Sequence, residues 1–280
     1  MHKIGILGNG FVGSAVASGF ALHADVRVYD IDPKKSIHSF EEVMESEFIF
    51  ICVPTPMNIN NSNKIDLSMV TSAFKKITTY EKPLNKKIFI LKSTVIPGTT
   101  NALVKQFSNL EIVFNPEFLT ERSARLDFIN ASRIVLGGTE EACKRLAILY
   151  RIRFPYTPII ITDWMSAEFV KYMCNCFFAT KISFMNEMKQ ASEKVDLDWK
   201  SIMGGFLADG RIGNSHIDVP GHDGHPGFGG KCFPKDINAF INFFKDIEVH
   251  PSVLEAVWEK NVEVRDAADW ERIKGAISKK

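Results

Sequence analysis

Apolar residues recur along this 280-residue chain in two different periods. In the first half they come as short, nearly continuous runs. Ile4 to Leu7, Val26 to Asp30, Phe48 to Val53, Lys87 to Leu91, Glu111 to Phe114 and Arg133 to Gly138 are each of strand length. Longer stretches such as Ser14 to Leu22 and Asp66 to Tyr80 separate them and read as helices. Strands apolar on both faces, alternating with helices, predict a parallel sheet covered on both sides. From Met165 to about Lys194 the period becomes helical, with Phe169, Met173, Phe177 and Phe184 along one long helix. Asp198 to Asn214 reads as further helix, as do Asp236 to Asp246 and Val253 to Val264. Residues 215–230 are rich in Gly, His, Asp and Pro and read as a loop, and the basic tail Lys279-Lys280 reads as disordered.

The first strand leads directly into Gly8-x-Gly10-x-x-Gly13, and the second ends at Asp30. That order is a dinucleotide fingerprint in its proper context. Gly8 makes the tight turn, Gly10 lets a pyrophosphate approach the helix N-terminus, and Gly13 allows close helix–strand packing. A carboxylate at Asp30 would bond the adenosine ribose and repel a 2′-phosphate, which favours NAD over NADP. Lys34 and Lys35 soften that preference, since either could meet a phosphate. The expected fold is α/β: a Rossmann-type doubly wound parallel sheet over residues 1–160, then a mostly helical domain with a long central helix over residues 161–280. Thr55, Thr94 and Asn115-Pro116-Glu117 stand at other strand ends, which border the ligand crevice in such sheets. Taken singly, Thr55 and Thr94 read better as helix caps or turn residues than as ligand contacts.

The formal net charge of +1 predicts neither nucleic-acid nor membrane partners. No apolar run approaches the roughly 18 residues of a membrane span. The N-terminus enters a strand pattern with no leader-like stretch, and the five cysteines are odd in number and scattered. Both features suit a reducing cytoplasm. Cys174 and Cys176 lie two apart on a helix and so point to different faces. His216, His222 and His225 match no zinc spacing. No metal is expected, and 214–226 reads as a substrate-covering loop with solvated histidines.

The segment Gly227-Phe228-Gly229-Gly230-Lys231-Cys232-Phe233-Pro234-Lys235-Asp236 carries the strongest chemical signal. It sets a cysteine between a glycine-rich turn and the start of a helix. A cysteine in a cationic setting at a helix N-terminus can become a thiolate, the nucleophilic form.

Taken together, several segments follow one known pattern. They are Gly8–Gly13, Cys52-Val53-Pro54-Thr55-Pro56, Lys92-Ser93-Thr94-Val95 and Asn115-Pro116-Glu117-Phe118-Leu119-Thr120-Glu121. Glu168-Phe169-Val170-Lys171 with Asn175, Arg211-Ile212-Gly213 and Gly227–Asp236 complete the series. The chain resembles the UDP-glucose/GDP-mannose dehydrogenase family over nearly its whole length. The resemblance implies NAD-dependent oxidation of a nucleotide-sugar primary alcohol to a carboxylate, with UDP-glucose as the first substrate to consider. The product uronate would feed polysaccharide synthesis. Cys232 matches the family nucleophile, forming a thiohemiacetal and then a thioester that water hydrolyses. Lys171 and Asn175, at i and i+4 on one helix face, match the residues that hold substrate and stabilise alkoxide or oxyanion charge. Asp236 and Thr94 match a proton-handling pair acting through water. Glu117 or Glu121 would assist general-base steps, with Glu121 also near the nicotinamide. The cofactor set is Gly8, Gly10, Val12, Gly13, Asp30, Lys35, Thr55, Thr94, Glu121 and Lys235. Phe118, Leu119 and Gly229 would contact the sugar nucleotide. Arg211 matches an arginine that reaches substrate, often across a homodimer interface, and the long helix is expected to form that dimer.

The chain departs from the family in two respects, one of them the long segment 214–226. Members carry a second Rossmann-like domain that binds much of the nucleotide, and too few residues follow Asp236 for one. A partner chain would then supply the missing half-site, or the site is simplified. UDP-N-acetylmannosamine and GDP-mannose stay open as substrates, as does a partner-dependent nucleotide-binding subunit of weak activity. A β-hydroxyacid dehydrogenase shares the helical Lys-x-x-x-Asn but performs one oxidation and has no use for Cys232.

Overall fold

Each apolar run of the first half forms a strand, because a stretch buried on both faces is most stable inside a layered sheet. The computed structural model describes residues 1–265 and 268–278. Lys279 and Lys280, expected to be disordered, lie outside the described residues. In chain order the elements begin β1 (Lys3–Leu7), α1 (Phe11–Phe20), β2 (Asp25–Tyr29), α2 (Phe40–Met44) and β3 (Phe48–Ile51). Next come β4 (Met57–Asn58), β5 (Lys64–Ile65), α3 (Ser68–Thr78), β6 (Ile88–Leu91), α4 (Thr99–Gln106) and β7 (Glu111–Phe114). Then follow α5 (Ala124–Ile129), β8 (Ile134–Gly137), α6 (Glu140–Arg153), β9 (Ile159–Thr162) and the long α7 (Trp164–Lys194). The chain closes with α8 (Trp199–Leu207), α9 (Phe233–Asp246), α10 (Ser252–Val264) and β10 (Ile277–Ser278).

These elements form two compact units. The first comprises Met1–Thr55 and Asp66–Lys171, the second Pro56–Ile65 and Tyr172–Lys280. The division falls within α7 rather than at residue 160, and the β4–β5 hairpin goes with the second unit.

The first unit is a Rossmann-like sheet of order β2-β1-β3-β6-β7-β8-β9. Successive side chains of each strand enter opposite layers. Ile4, Ile6, Phe48, Phe50, Ile88 and Ile90 join Phe20, Phe128 and Tyr150 in one core. Ile49, Ile51, Phe89 and Leu91 join Phe74, Phe107 and Val43 in the other. Strand order reverses between β1 and β3, and the crevice at such a switch point is where open α/β sheets bind ligands. Two features correct the expected all-parallel sheet. β8 pairs antiparallel with β7, through Phe114 and Gly137. β9, not expected at all, then pairs parallel with β8. A run apolar on both faces reads the same in either direction, so its pattern carries no orientation.

The second unit is helical as expected, but it also holds a three-stranded sheet of order β10-β4-β5. The ring of Tyr172 on α7 stacks on Phe240 of α9, with centroids 5.2 Å apart. Met57, Trp270 and Ala276 form a small separate core beneath the short strands. Helix stops at Leu207 in the stretch 198–214, and residues 215–230 hold neither helix nor strand. Among the described residues no helix is long and apolar enough to cross a membrane.

Candidate active site

The glycine turn after β1 has the geometry a phosphate cradle requires. Gly8 sits at φ 98°, where L side chains are strained. A Cβ on Gly13 would lie 1.9 Å from the carbonyl oxygen of Gly8, so only glycine lets α1 pack this close. Gly10, the N-cap of α1, offers no side-chain cap, and a Cβ built on it meets nothing within 4 Å. The first amides of α1 therefore face open space at the positive end of the helix, which fits a pyrophosphate. Val12 follows in the first turn. Asp30, at the end of β2, accepts from the amide of Asn9 at 2.6 Å and from that of Asp32 at 2.8 Å. These bonds hold the carboxylate at the turn while leaving lone pairs for a ribose hydroxyl. Lys35 enters this turn through its carbonyl, which accepts from Asn9 Nδ2 at 2.7 Å.

The ends of β3, β6 and β7 gather buried charge within the first unit. Lys92 is almost fully buried and donates to Asn115 Oδ1 at 2.8 Å. Tyr150 donates to the same oxygen at 2.5 Å, and Asn115 Nδ2 donates to the carbonyl of Val135 at 2.7 Å. Burial pushes the Lys92 ammonium down to about 8 and the nearby Cys52 thiol up to about 12. Two residues beyond Asn115, Glu117 Oε1 pairs with Lys171 Nζ at 2.8 Å, both side chains at or below 5% exposure. Glu117 Oε2 accepts the amide of Leu119 at 2.7 Å, so the turn that carries Phe118 closes on its own carboxylate. Lys171 is thus a buried, paired cation and not a solvated one. Glu168, one turn earlier on α7, accepts from the amides of Gly98 and Thr100 at 2.5 and 2.7 Å. It caps α4 from a distance, because Gly98 has no side chain to do so. Burial pushes its carboxyl up to about 7.

The second unit builds its chemistry around the start of α9. Cys232 is the N-cap of that helix, with proline in the first turn. None of the five cysteines is in a disulfide. Asp236, one turn on, is buried; its Oδ2 accepts from Asn175 Nδ2 at 2.6 Å, and its Oδ1 pairs with Lys235 Nζ. Asp236 caps nothing: α9 has no side-chain cap bond. Its carboxylate instead ties α9 to α7 through Asn175.

Other candidates stand apart from these clusters. Thr55 is buried and Thr94 half-buried, and neither caps a helix, since α3 and α4 begin at Ser68 and Thr99. Glu121 opens an exposed 3₁₀ turn. Arg211 pairs with Asp209 in a surface turn, with its side chain 90% exposed. His216 corrects the expectation of solvated histidines: its ring stacks on Phe178 at 4.2 Å. His222 and His225 are exposed, and among the described residues no three metal-binding side chains converge. Sequence reasoning passed over Lys92 and Tyr150 as a pair. It also missed Asn186 and Asn261, whose Oδ1 atoms accept the amides of Gly227 at 3.1 Å and Phe228 at 2.6 Å. An asparagine on an apolar helix face, at Asn186 and Asn261, was the available signal.

Comparison with known proteins gives this geometry a context. Residues 35–154 match the NAD binding domain of the UDP-glucose/GDP-mannose dehydrogenase family, and residues 165–263 match its central domain. UDP-glucose 6-dehydrogenase of Rickettsia bellii is 39% identical over 233 residues, covering 80% of this chain and 51% of that protein. UDP-glucose 6-dehydrogenase TuaD of Bacillus subtilis is 33% identical over 307 residues, covering 95% of this chain and 64% of that one. The structure of a UDP-glucose dehydrogenase from Pyrobaculum islandicum superposes with a TM-score of 0.80 at 28% identity, covering 94% of this chain and 68% of the other. The chain thus spans about half of the Rickettsia protein and about two thirds of the Bacillus one. With both domain models matched in order across most of its length, the chain belongs to the UDP-glucose/GDP-mannose dehydrogenase family and carries its NAD-binding domain.

Proposed function

We propose that this chain carries the NAD-binding and catalytic parts of a nucleotide-sugar dehydrogenase, with UDP-glucose as substrate and UDP-glucuronate as product. One observation carries the reading: Cys232 caps α9 one turn before a buried Asp236 that is bonded to both Asn175 and Lys235. A cysteine at a helix N-terminus lies at the positive end of the helix, a setting that favours the thiolate form. A four-electron oxidation is what requires such a nucleophile.

Bound NAD supplies the hydride acceptor for both oxidations. Gly8, Gly10, Val12 and Gly13 would hold its pyrophosphate and Asp30 its ribose, with Lys35, Thr55, Thr94, Glu121 and Lys235 lining the rest. Lys171 stabilises the alkoxide that develops as the primary alcohol loses its proton, and Glu117 keeps that ammonium oriented. Loss of the first C–H of the alkoxide as hydride leaves an aldehyde; the Cys232 thiolate adds to its carbon, and the carbonyl oxygen takes up a proton to become a thiohemiacetal hydroxyl. Loss of the remaining C–H as hydride leaves a thioester. Water then adds, the C–S bond breaks, and carboxylate and thiol are released. One amide hydrogen of Asn175 is committed to Asp236; the other is left for the oxyanion. Asp236, with Thr94, handles the protons of the hydrolytic water. Phe118, Leu119, Gly229 and Arg211 would contact the sugar nucleotide. Two copies pair through α7, where Met173, Phe177 and Phe184 remain exposed.

The experiment counts NADH formed per UDP-glucose consumed, for wild type and Cys232→Ala. About two NADH per sugar are expected in wild type, and no uronate in the variant. One NADH per sugar, unaffected by Cys232→Ala, would overturn the reading.

A further inference from the structure

Beyond α10 the second unit contains a short segment, residues 268–278, that lies outside the residues matched to the family's central domain. We propose that this segment, with Arg265 at the end of α10, is a latch that sets the position of the Cys232 turn, Asp269 and Arg265 being its positioning residues.

Three sets of contacts carry the proposal. First, Gly229 packs on an ion pair. A Cβ on Gly229 would lie 2.3 Å from Asp269 Oδ2 and 2.4 Å from Arg265 Nη2. No side chain fits there, so the backbone of the turn rests directly on the two charges. Asp269 Oδ2 and Arg265 Nη2 are themselves 2.7 Å apart. Second, Arg265, its side chain 4% exposed, distributes its remaining donors over the same loop. It donates to Asp223 Oδ2 at 2.6 Å and to the carbonyl of Pro226 at 3.1 Å. A planar guanidinium with several fixed donors registers two carboxylates and a backbone turn at once, which a lysine cannot do. Third, a row of rings leads from the segment to α9. Trp270 packs on Trp258 at 5.3 Å, Trp258 on Phe228 at 6.3 Å, and Phe228 on Phe233, the residue after Cys232, at 6.1 Å. The far end of the segment is fixed by β10, where the amide of Met57 donates to the carbonyl of Ala276 at 2.9 Å.

The turn needs such external support. Gly227 and Gly230 both have positive φ, and the turn has no helix or strand of its own. Mobile glycines would let the N-cap of α9 fray, and with it the thiol that the helix N-terminus must activate. The latch supplies from outside the order that the glycines give up. Its consequence for turnover rests on the reaction proposed above; its structural content does not.

The test measures two things in Asp269→Asn and Trp270→Ala. One is the rate of iodoacetamide alkylation at Cys232 across pH, read by peptide mass spectrometry. The other is hydrogen exchange along the whole chain. Releasing the latch is expected to raise exchange at residues 223–233 about fivefold and change Cys232 alkylation several-fold, with its pH midpoint moved. Exchange in β1 and β6 stays unchanged. Alkylation and exchange identical to wild type in both variants would overturn the proposal. So would exchange accelerated throughout the chain, which would make the segment a general stabiliser. Because neither readout needs NAD or sugar, a protein that never forms NADH still gives an answer.

Discussion

Lys171 and Glu117 are nearly out of solvent, and each is the other's principal compensation for lost hydration. Removing one partner strands the other as a buried charge, which costs about 3–5 kcal/mol, whereas replacing both by apolar side chains is often near neutral. Lys171→Met should therefore lower the unfolding free energy by about that amount, and adding Glu117→Leu should return most of it. Turnover should be lost in both. Urea unfolding of the set decides the matter: a double variant no more stable than Lys171→Met would mean the pair is not what the residues are buried for. Lys92 gives a pH signature. Burial lowers its folded-state value from 10.5 to about 8, so between those values the folded protein binds fewer protons than the unfolded chain. Stability traceable to Lys92 thus rises as pH climbs through that window and is flat below it. The wild type should gain on Lys92→Met by about 3 kcal/mol between about pH 8 and 10.5. A gap that stays constant or narrows would refute the assignment. At this scale the sequence displayed the chemical residues but not their partners. Lys171 and Asn175 could be picked out by helical spacing, and Cys232 by its turn. That Glu117, 54 residues earlier, neutralises Lys171 is a tertiary fact with no local trace. Lys92, Asn115 and Tyr150 likewise come from three separate elements.

At the scale of elements, hydrophobic pattern was a good guide to existence and a poor one to direction. Every run read as a strand became one, because apolarity on both faces has few other stable outcomes. β8 runs against β7, however, and a continuous apolar run has no polarity to read. β4 and β5 are two residues each, too short for any period to register, and they belong to the second unit despite lying early in the chain. The start of α4 illustrates a related limit. Gly98 at φ 94° ends the preceding turn, and its missing side chain leaves the first amides of the helix uncapped. Glu168 supplies both acceptor oxygens from α7, a cap that no local motif announces. α9 is the converse case. Pro234 near its start and the glycines before it are local signals, and the helix begins where they put it, one residue past Cys232.

At the scale of the whole molecule, α7 carries a group of exposed apolar side chains in the second unit. Met173 and Phe177 are each 61% exposed and Phe184 is 51% exposed, all on α7 at spacings of four and seven residues. Helical geometry puts such positions on one stripe, and a stripe of this kind is stable when a second copy covers it. Arg211 belongs to the same question. Its side chain is almost wholly in solvent and pairs locally with Asp209, and a role toward substrate on a second copy is one that mixing can test. A mixing experiment separates the possibilities. Arg211→Ala and Cys232→Ala homodimers should each be inactive. After subunit exchange, half the dimers are mixed, and each mixed dimer has one site with an intact cysteine from one protomer and an intact arginine from the other. Activity should therefore return to about a quarter of wild type. Light scattering should show dimers before and after exchange, and Phe177→Glu with Phe184→Glu should abolish both the dimer and the recovery. Exchange without recovered activity would confine Arg211 to its own protomer. A wild-type protein that scatters as a monomer at micromolar concentration would remove the premise for α7 as an interface.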